Sequence, residues 1–212
     1  MIIYRKNNHS AILRMLFLMV TGTLFVIGCA SPKTETTNTN TNMENTTGTT
    51  VTIGGNPIHT IGKLPAVGTE VKDFTLTGAD MTEKTLSDYK GKYIIMNIFP
   101  SVNTGVCAKS VRKFNEDAAK LENTTVLCIS KDLPFAQKAF CGAEGIENVV
   151  MLSDFRNDFG KNYGVQLVDG PFKGLLSRAV IVVNPEGKIV YEEQVPEIGQ
   201  EPNYEAAINA VK

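Results

Sequence analysis

The chain has no tryptophan and only two histidines, His9 and His59, among its 212 residues. No pair among its four cysteines, Cys29, Cys107, Cys128 and Cys141, reads Cys-x-x-Cys. Without local Cys and His pairs, a zinc site of the usual spacing is not expected, and neither a metal nor a cofactor is called for. A Cys–His or Ser–His catalytic pair would have to draw on His59, in a Gly/Pro-punctuated stretch, because His9 falls in a leader. An excess of charge of one sign is also missing: the formal net charge is −1. No basic block is interleaved with aromatics, so a nucleic-acid surface is not expected. Long apolar runs are scarce as well. The longest, Met15 to Ile27, falls short of the ~20 residues of a comfortable membrane span.

That run has a context of its own. Arg5, Lys6 and Arg14 precede it, giving a charged segment and then an apolar one, as in a secretory signal. It ends in Val26-Ile27-Gly28-Cys29, which resembles a bacterial lipobox, with Val26 where leucine is usual. The resemblance implies removal of residues 1–28 and lipidation of Cys29. A plain signal peptide or a short membrane anchor is the alternative. Ala30 to Thr50 is mostly Ser, Pro, Thr, Asn and Glu, with Met43 its only large apolar side chain. Such a segment cannot bury enough surface to offset its ordering entropy. Residues 29–50 therefore read as a lipidated cysteine and a flexible tether, with an r.m.s. span of roughly 25 Å. The expected location is a bacterial cell envelope, membrane-anchored, with the domain facing the periplasm or the exterior.

What is present is enough apolar content, 42% of residues, for one packed domain over 51–212. Val51 to Lys63, with Gly54-Gly55 as a turn signal, predicts an N-terminal hairpin. Val71 to Thr77 predicts a strand, and Leu86 to Tyr89 a short turn or helix closed by Gly91. Tyr93 to Phe99 and Thr124 to Ser130 are continuous apolar runs, as in strands buried on both faces. Between them Cys107, Val111, Phe114, Ala118 and Leu121 recur at helical spacing, which predicts a helix over Gly105 to Asn123. A second helix runs from an Asp132 cap, with Pro134 in its first turn, to about Cys141, with Gly142 beyond it. Val149 to Leu152 predicts a strand, then a Ser153-capped helix from Asp154 to Tyr163 with Gly164 as its left-handed stop. Arg178 to Val183 and Lys188 to Val195 predict a closing hairpin across Asn184-Pro185-Glu186-Gly187, followed by a helix over Tyr204 to Val211. Strands alternating with helices imply an α/β domain, a mixed central sheet flanked by helices, and a terminal hairpin after βαβ units suits a thioredoxin-like fold.

The segment that carries chemistry runs from Phe99 to Cys107. A buried strand ends, a Pro-containing loop follows, and Cys107 lies in the first turn of a helix. There the backbone N–H groups lack intrahelical partners and the macrodipole is positive, so both favour a thiolate, the nucleophilic form. One turn earlier stands Thr104, where a dithiol exchanger would carry its other cysteine. A lone cysteine on an apolar helix face is ordinarily a small buried hydrophobe; the strand-to-helix placement favours the reactive reading. Cys128, inside a buried strand, reads as a packed, unreactive cysteine.

Pro100-x-x-x-Thr104-x-x-Cys107 resembles the peroxiredoxin active-site motif. Thr-Gly-Val-Cys-Ala-Lys-Ser-Val-Arg-Lys-Phe-Asn, Asp-Leu-Pro-Phe-Ala-Gln and Phe-Cys-Gly-Ala-Glu-Gly extend the likeness to the thiol peroxidase subfamily, the atypical two-cysteine peroxiredoxins. The likeness spans about Val51 to Lys212. It implies a thiol-dependent peroxidase that reduces hydrogen peroxide and organic hydroperoxides in antioxidant defence and redox homeostasis. Cys107 would attack the peroxide and become a sulfenic acid. Thr104 would hydrogen-bond the thiolate and the bound peroxide, and Pro100 would shape the loop and limit water. Arg178 would match the family's active-site arginine, stabilising the thiolate and the leaving oxygen. Without the family it would read as a strand-end surface arginine. Arg112 is a weaker candidate, more often a solvated charge.

Cys141 would be the resolving cysteine of an intramolecular Cys107–Cys141 disulfide. A disulfide needs Cα atoms within about 7 Å. The first turn holding Cys107 and the helix ending near Cys141 would therefore unwind during turnover, eased by Gly142 and Gly145. The family also implies a homodimer and reduction by thioredoxin. Behind a secretory leader the reductant would instead be an extracytoplasmic thiol donor. A membrane-tethered thiol–disulfide exchanger, a peroxide sensor acting through Cys107 and an adhesive lipoprotein are the competing readings. The first wants Cys-x-x-Cys, the second is separated by a turnover assay, and the third leaves the Cys107 segment unexplained.

Overall fold

The computed structural model describes residues 48–211; the leader, Cys29 and the tether up to residue 47 lie outside the described residues. Strands β1 (Thr50–Ile53) and β2 (Asn56–His59) pair antiparallel across Gly54-Gly55. Both glycines take positive φ, 58° and 79°, the twist that a two-residue hairpin turn requires. The hairpin is held to the segment after the last strand: Thr52 N–H donates to the Pro196 carbonyl and Ile198 N–H to the Thr52 carbonyl.

Seven further strands make the main sheet: β3 (Thr75–Gly78), β4 (Glu83–Thr85), β5 (Tyr93–Ile98), β6 (Thr124–Ser130), β7 (Val150–Ser153), β8 (Ala179–Val183) and β9 (Ile189–Gln194). Their order across the sheet is β4-β3-β7-β6-β5-β8-β9. Strands β5, β6 and β7 run parallel, and β8, β9, β3 and β4 pair antiparallel at either side. The parallel strands are joined through helices α1 (Gly105–Ala118) and α2 (Pro134–Glu144), as a parallel connection requires. Helices α3 (Phe159–Asn162) and α4 (Tyr204–Asn209) and a 3₁₀ turn at Leu86–Tyr89 complete the domain. This is the mixed, helix-flanked sheet of a thioredoxin-like fold, with the N-terminal hairpin the sequence predicts.

Strand periodicity divides the core in two. Ile94, Met96, Ile98, Leu127, Ile129 and Ile181 pack on one face with Phe159 and Tyr163. Ile95, Val126, Cys128, Val180 and Val182 pack on the other, beneath Cys107, Val111 and Phe114 of α1 and Ala207 of α4. The predicted apolar stripe of α1 is thus the face that seats Cys107 on the sheet.

Several predicted boundaries are corrected. The strand expected over Val71 to Thr77 begins only at Thr75, because the Asp73 carboxylate takes the Phe74 N–H and Val71 bonds to Gly187 instead. Helix α1 stops at Ala118 rather than Asn123; tight bonds from Lys120 and Leu121 back to Asp117 and Ala118 close it, and Asn123 turns left-handed at φ 46°. Helix α2 runs on to Glu144 and stops at Gly145, φ 63°, so Gly142 is inside it. Its cap is Leu133, not Asp132. Helix α3 is a single turn, not the run from Asp154, and Ser153 closes β7 instead of capping a helix. The Asp154 carboxylate reaches forward to the N–H groups of Phe159 and Gly160, which delays the helix start. Helix α4 ends at Asn209, short of Val211. The predicted stop at Gly164 is observed, with φ 73°.

Candidate active site

The buried strand β5 delivers the chain to Pro100, and four residues later Thr104 stands as the N-cap of α1. The Thr104 side chain does not cap the helix. Its hydroxyl donates to the Ser101 carbonyl at 3.1 Å, which closes the loop on itself. The first N–H groups of α1 therefore have no side-chain cap, and Cys107 sits in that turn, fully buried.

Arg178, the residue before β8, meets Cys107 from the opposite side. It is 2% exposed, so it is not the strand-end surface arginine that its sequence position alone suggests. Its Nη2 donates to Cys107 Sγ at 3.2 Å and its Nε to the Ile198 carbonyl at 2.8 Å. Its Nη1 is buried with no hydrogen-bond partner among the described residues. A guanidinium in this state has one N–H on the sulfur and one fixing its aim, and its Nη1 group is left for an oxygen that enters the site.

Cys107 and Arg178 share a cavity of about 240 Å³ with Pro100, Thr104, Gly105, Val106, Ile53, Phe172, Ile198 and Gly199. Its walls are mostly apolar, so the guanidinium and the sulfur act in a medium poor in water. Ile53, Phe172 and Ile198 come from the hairpin and from loops far along the chain, and sequence reading did not identify them. Glu197 beside them was missed as well. Its carboxylate accepts from Gly54 N–H at 3.1 Å, Gly55 N–H at 3.0 Å, Gly199 N–H at 3.0 Å and the Thr52 hydroxyl at 2.8 Å. These donors hold it at about 2, well below the usual carboxylate value.

Cys141 lies elsewhere. It sits half-buried on α2, beside a separate groove lined by Ala79, Lys84, Val149 and Met151, and is not among the residues lining the Cys107 cavity. Burial pushes its thiol up. Cys128 is fully buried in β6, its sulfur 3.6 Å from the Asn97 amide, and burial pushes its thiol up to about 12. It is the packed cysteine the sequence suggests. Arg112 is not among the residues lining the Cys107 cavity and pairs with Glu144 at 2.9 Å, tying α1 to α2 at the surface. His59 pairs with Asp169 at 2.6 Å and does not line the cavity.

Asp132, expected as a helix cap, instead binds the Cys107 loop. It accepts from the Ser101 hydroxyl and the Val102 N–H, each at 2.7 Å. In the sequence it stands two residues after a buried strand and two before Pro134, which equally fits a helix cap.

Residues 66–208 match the family model described as Redoxin. The thiol peroxidase of Mycobacterium bovis is 56% identical over 161 residues, which cover 76% of this chain and 97% of the relative. The thiol peroxidase of Corynebacterium glutamicum is 55% identical over 157 residues, 74% of this chain and 95% of the relative. The crystal structure of a peroxiredoxin-like protein from Aquifex aeolicus superposes with a TM-score of 0.73 at 40% identity, covering 76% of this chain and 95% of that one.

Proposed function

The chain belongs to the redoxin family, among its thiol peroxidases, and from that premise we propose that Cys107 is the peroxidatic cysteine, Arg178 and Thr104 its electrostatic partners, and Cys141 the resolving cysteine. The chain is a peroxidase that reduces hydroperoxides with electrons from thiols. One observation carries the assignment of roles: the buried Arg178 holds Cys107 Sγ with Nη2 while Nη1 has no hydrogen-bond partner among the described residues.

The Cys107 thiolate attacks the terminal oxygen of the hydroperoxide. The S–O bond forms as the O–O bond breaks, giving a sulfenic acid and an alkoxide or hydroxide that takes a proton to leave as alcohol or water. The free Nη1–H group of Arg178 is placed to donate to the oxygen on which charge develops. Thr104 already spends its O–H on Ser101, so its oxygen lone pairs remain to accept the peroxide O–H. Pro100 lines the cavity, where its ring would limit the approach of water to the sulfur.

Cys141 then attacks the sulfenic sulfur, expelling water and closing the Cys107–Cys141 disulfide. Cys107 is buried in one cavity and Cys141 lines another groove, so the first turn of α1 and the end of α2 must open for the sulfurs to meet. A thioredoxin-type dithiol restores both thiols. The steps as written move electrons between sulfur and oxygen only and draw on no metal ion or cofactor.

The test is peptide mapping after one equivalent of hydroperoxide. A Cys107–Cys141 disulfide in near-stoichiometric yield, with Cys128 free, is the expected result. Cys107 remaining reduced would remove the assignment.

The rest of the reading concerns where this happens. Removal of residues 1–28, lipidation of Cys29 and a tether that ends before Thr49, whose N–H bonds the Gly62 carbonyl ahead of β1, would anchor the domain outside the cytoplasmic membrane as a homodimer served by an extracytoplasmic thiol donor. The Gly28-Cys29 junction after an apolar run supports the cleavage and lipidation. Labelled fatty acid incorporated by the wild-type chain and lost in Cys29→Ala is the expected outcome; label retained in the variant would overturn it.

A further inference from the structure

We propose that Asp132 is a positioning residue, a latch between the Cys107 loop and the Cys141 helix that sets how readily the enzyme passes from peroxide attack to disulfide closure. The inference rests on the pairing of Cys107 with Cys141 proposed above.

Asp132 follows β6 and precedes α2. One carboxylate oxygen accepts the Ser101 hydroxyl at 2.7 Å. The other accepts the Val102 N–H at 2.7 Å and the Ser130 hydroxyl at 2.8 Å. Ser130 Oγ in turn accepts Gln137 Nε2 at 3.1 Å, and Gln137 also donates to the Leu152 carbonyl at 3.0 Å. Gln137 is fully buried on α2 and stands four residues before Cys141, one turn away on the same side of the helix. A continuous polar run therefore joins the loop that ends in Cys107 to the helix that carries Cys141.

The bonds to the carboxylate are charge-assisted, so they are the strong ones in the run. Yet Asp132 itself is only partly buried. When the loop leaves, water can take the place of Ser101 and Val102 on its oxygens, which makes the contact releasable. While it is closed, Cys107 stays beneath Arg178 and attacks peroxide. While it is open, Cys107 is free of the cavity and within reach of Cys141.

Oxidised Cys107 has two fates, and the latch divides them. In the open arrangement the sulfenic acid condenses with the Cys141 thiol, releasing water and forming the disulfide. In the closed one it stays in the peroxide site, where a second hydroperoxide oxidises it to the sulfinic acid and leaves as alcohol.

The test compares full-length wild-type chain with Asp132→Asn. Rapid acid quench with thiol mapping follows disulfide formation after one equivalent of hydroperoxide, and mass spectrometry follows sulfinic acid at Cys107 under excess. In the variant, disulfide closure is faster and the sulfinic fraction lower, each by roughly tenfold, the scale of one lost charge-assisted bond. Ser101→Ala removes one donor only, shifts both readouts the same way by less, and serves if Asp132→Asn does not fold. Phe74→Leu, a core change on the sheet face opposite Cys107, controls for a general loss of stability, and an equal shift of the ratio there would overturn the latch. An unchanged ratio in a folded variant overturns the latch. No Cys107–Cys141 disulfide in the wild-type chain overturns the cysteine pairing first, and the latch with it.

Discussion

The Ile198 carbonyl accepts the Nε–H of Arg178 at 2.8 Å, and this bond aims the guanidinium so that Nη2 lies 3.2 Å from Cys107 Sγ. The loop after β9 thus sets the electrostatics of a sulfur in the first turn of α1. Lysine at this position would keep the charge but not the fork. Its ammonium cannot hold Ile198, the sulfur and an incoming oxygen in one plane. Arg178→Lys is expected to slow Cys107 oxidation by roughly 100-fold, the scale of one lost transition-state donor. Stopped-flow oxidation under excess peroxide measures it, and a rate near wild type would remove Arg178 from the chemistry.

Glu197 holds the same loop from its other side. Its carboxylate joins Gly54, Gly55 and Thr52 of the hairpin to Gly199, and it titrates at about 2 against an ordinary value of 4.5. A carboxyl lowered on folding contributes stability that is present above 4.5 and is lost as pH falls toward 2. Glu197→Gln has no carboxylate to gain a proton there, so its stability should change less with pH in that window than the wild type's. At neutral pH the amides of Gly54 and Gly55 should exchange faster in the variant. Equal exchange in both proteins would show that the carboxylate does not secure the hairpin.

Strands β5, β6 and β8 are legible in the sequence because burial on both faces leaves an unbroken apolar run. The edge strand β4, Glu83-Lys84-Thr85, has no apolar period and was missed; only its pairing with β3 makes it a strand. Cys107, Thr104 and Pro100 are legible because one loop carries all three. Arg178 was reached through a family resemblance, since nothing local marks a residue whose partner is 71 positions away. Asp132 and Glu197 act across 30 and 143 positions, from Val102 and to Gly54, and no short window of sequence contains both ends. What tertiary contact creates, periodicity does not record.

Cys128 offers a test of which sulfur is poised for chemistry. It is fully buried, and burial pushes its thiol up to about 12. At pH 8 it is therefore almost wholly protonated and shielded from reagents. Native enzyme should leave Cys128 unlabelled by iodoacetamide, and unfolding in urea should expose it. Cys128→Ala should keep the rate of Cys107 oxidation while losing about 1 kcal/mol of stability, for a small core void. A large loss of peroxidase rate with the fold intact would show that the sulfur does more than pack.

The cavity walls bear on which peroxide is taken. Phe172, Ile53 and Ile198 face the space of about 240 Å³ that Cys107 and Arg178 share. Hydrogen peroxide has no apolar part to place against them, whereas an alkyl or aryl hydroperoxide does. Phe172→Ala removes apolar surface from the wall without touching Arg178 or Thr104. Burial of such a side chain against a ligand is worth about 1.5–3 kcal/mol when complete, and only part of it is lost here. The expected result is a roughly tenfold fall in kcat/KM for cumene hydroperoxide with hydrogen peroxide nearly unchanged. The two substrates share the same bond-breaking step at Cys107, so a parallel fall for both would mean that Phe172 supports the loop rather than the substrate.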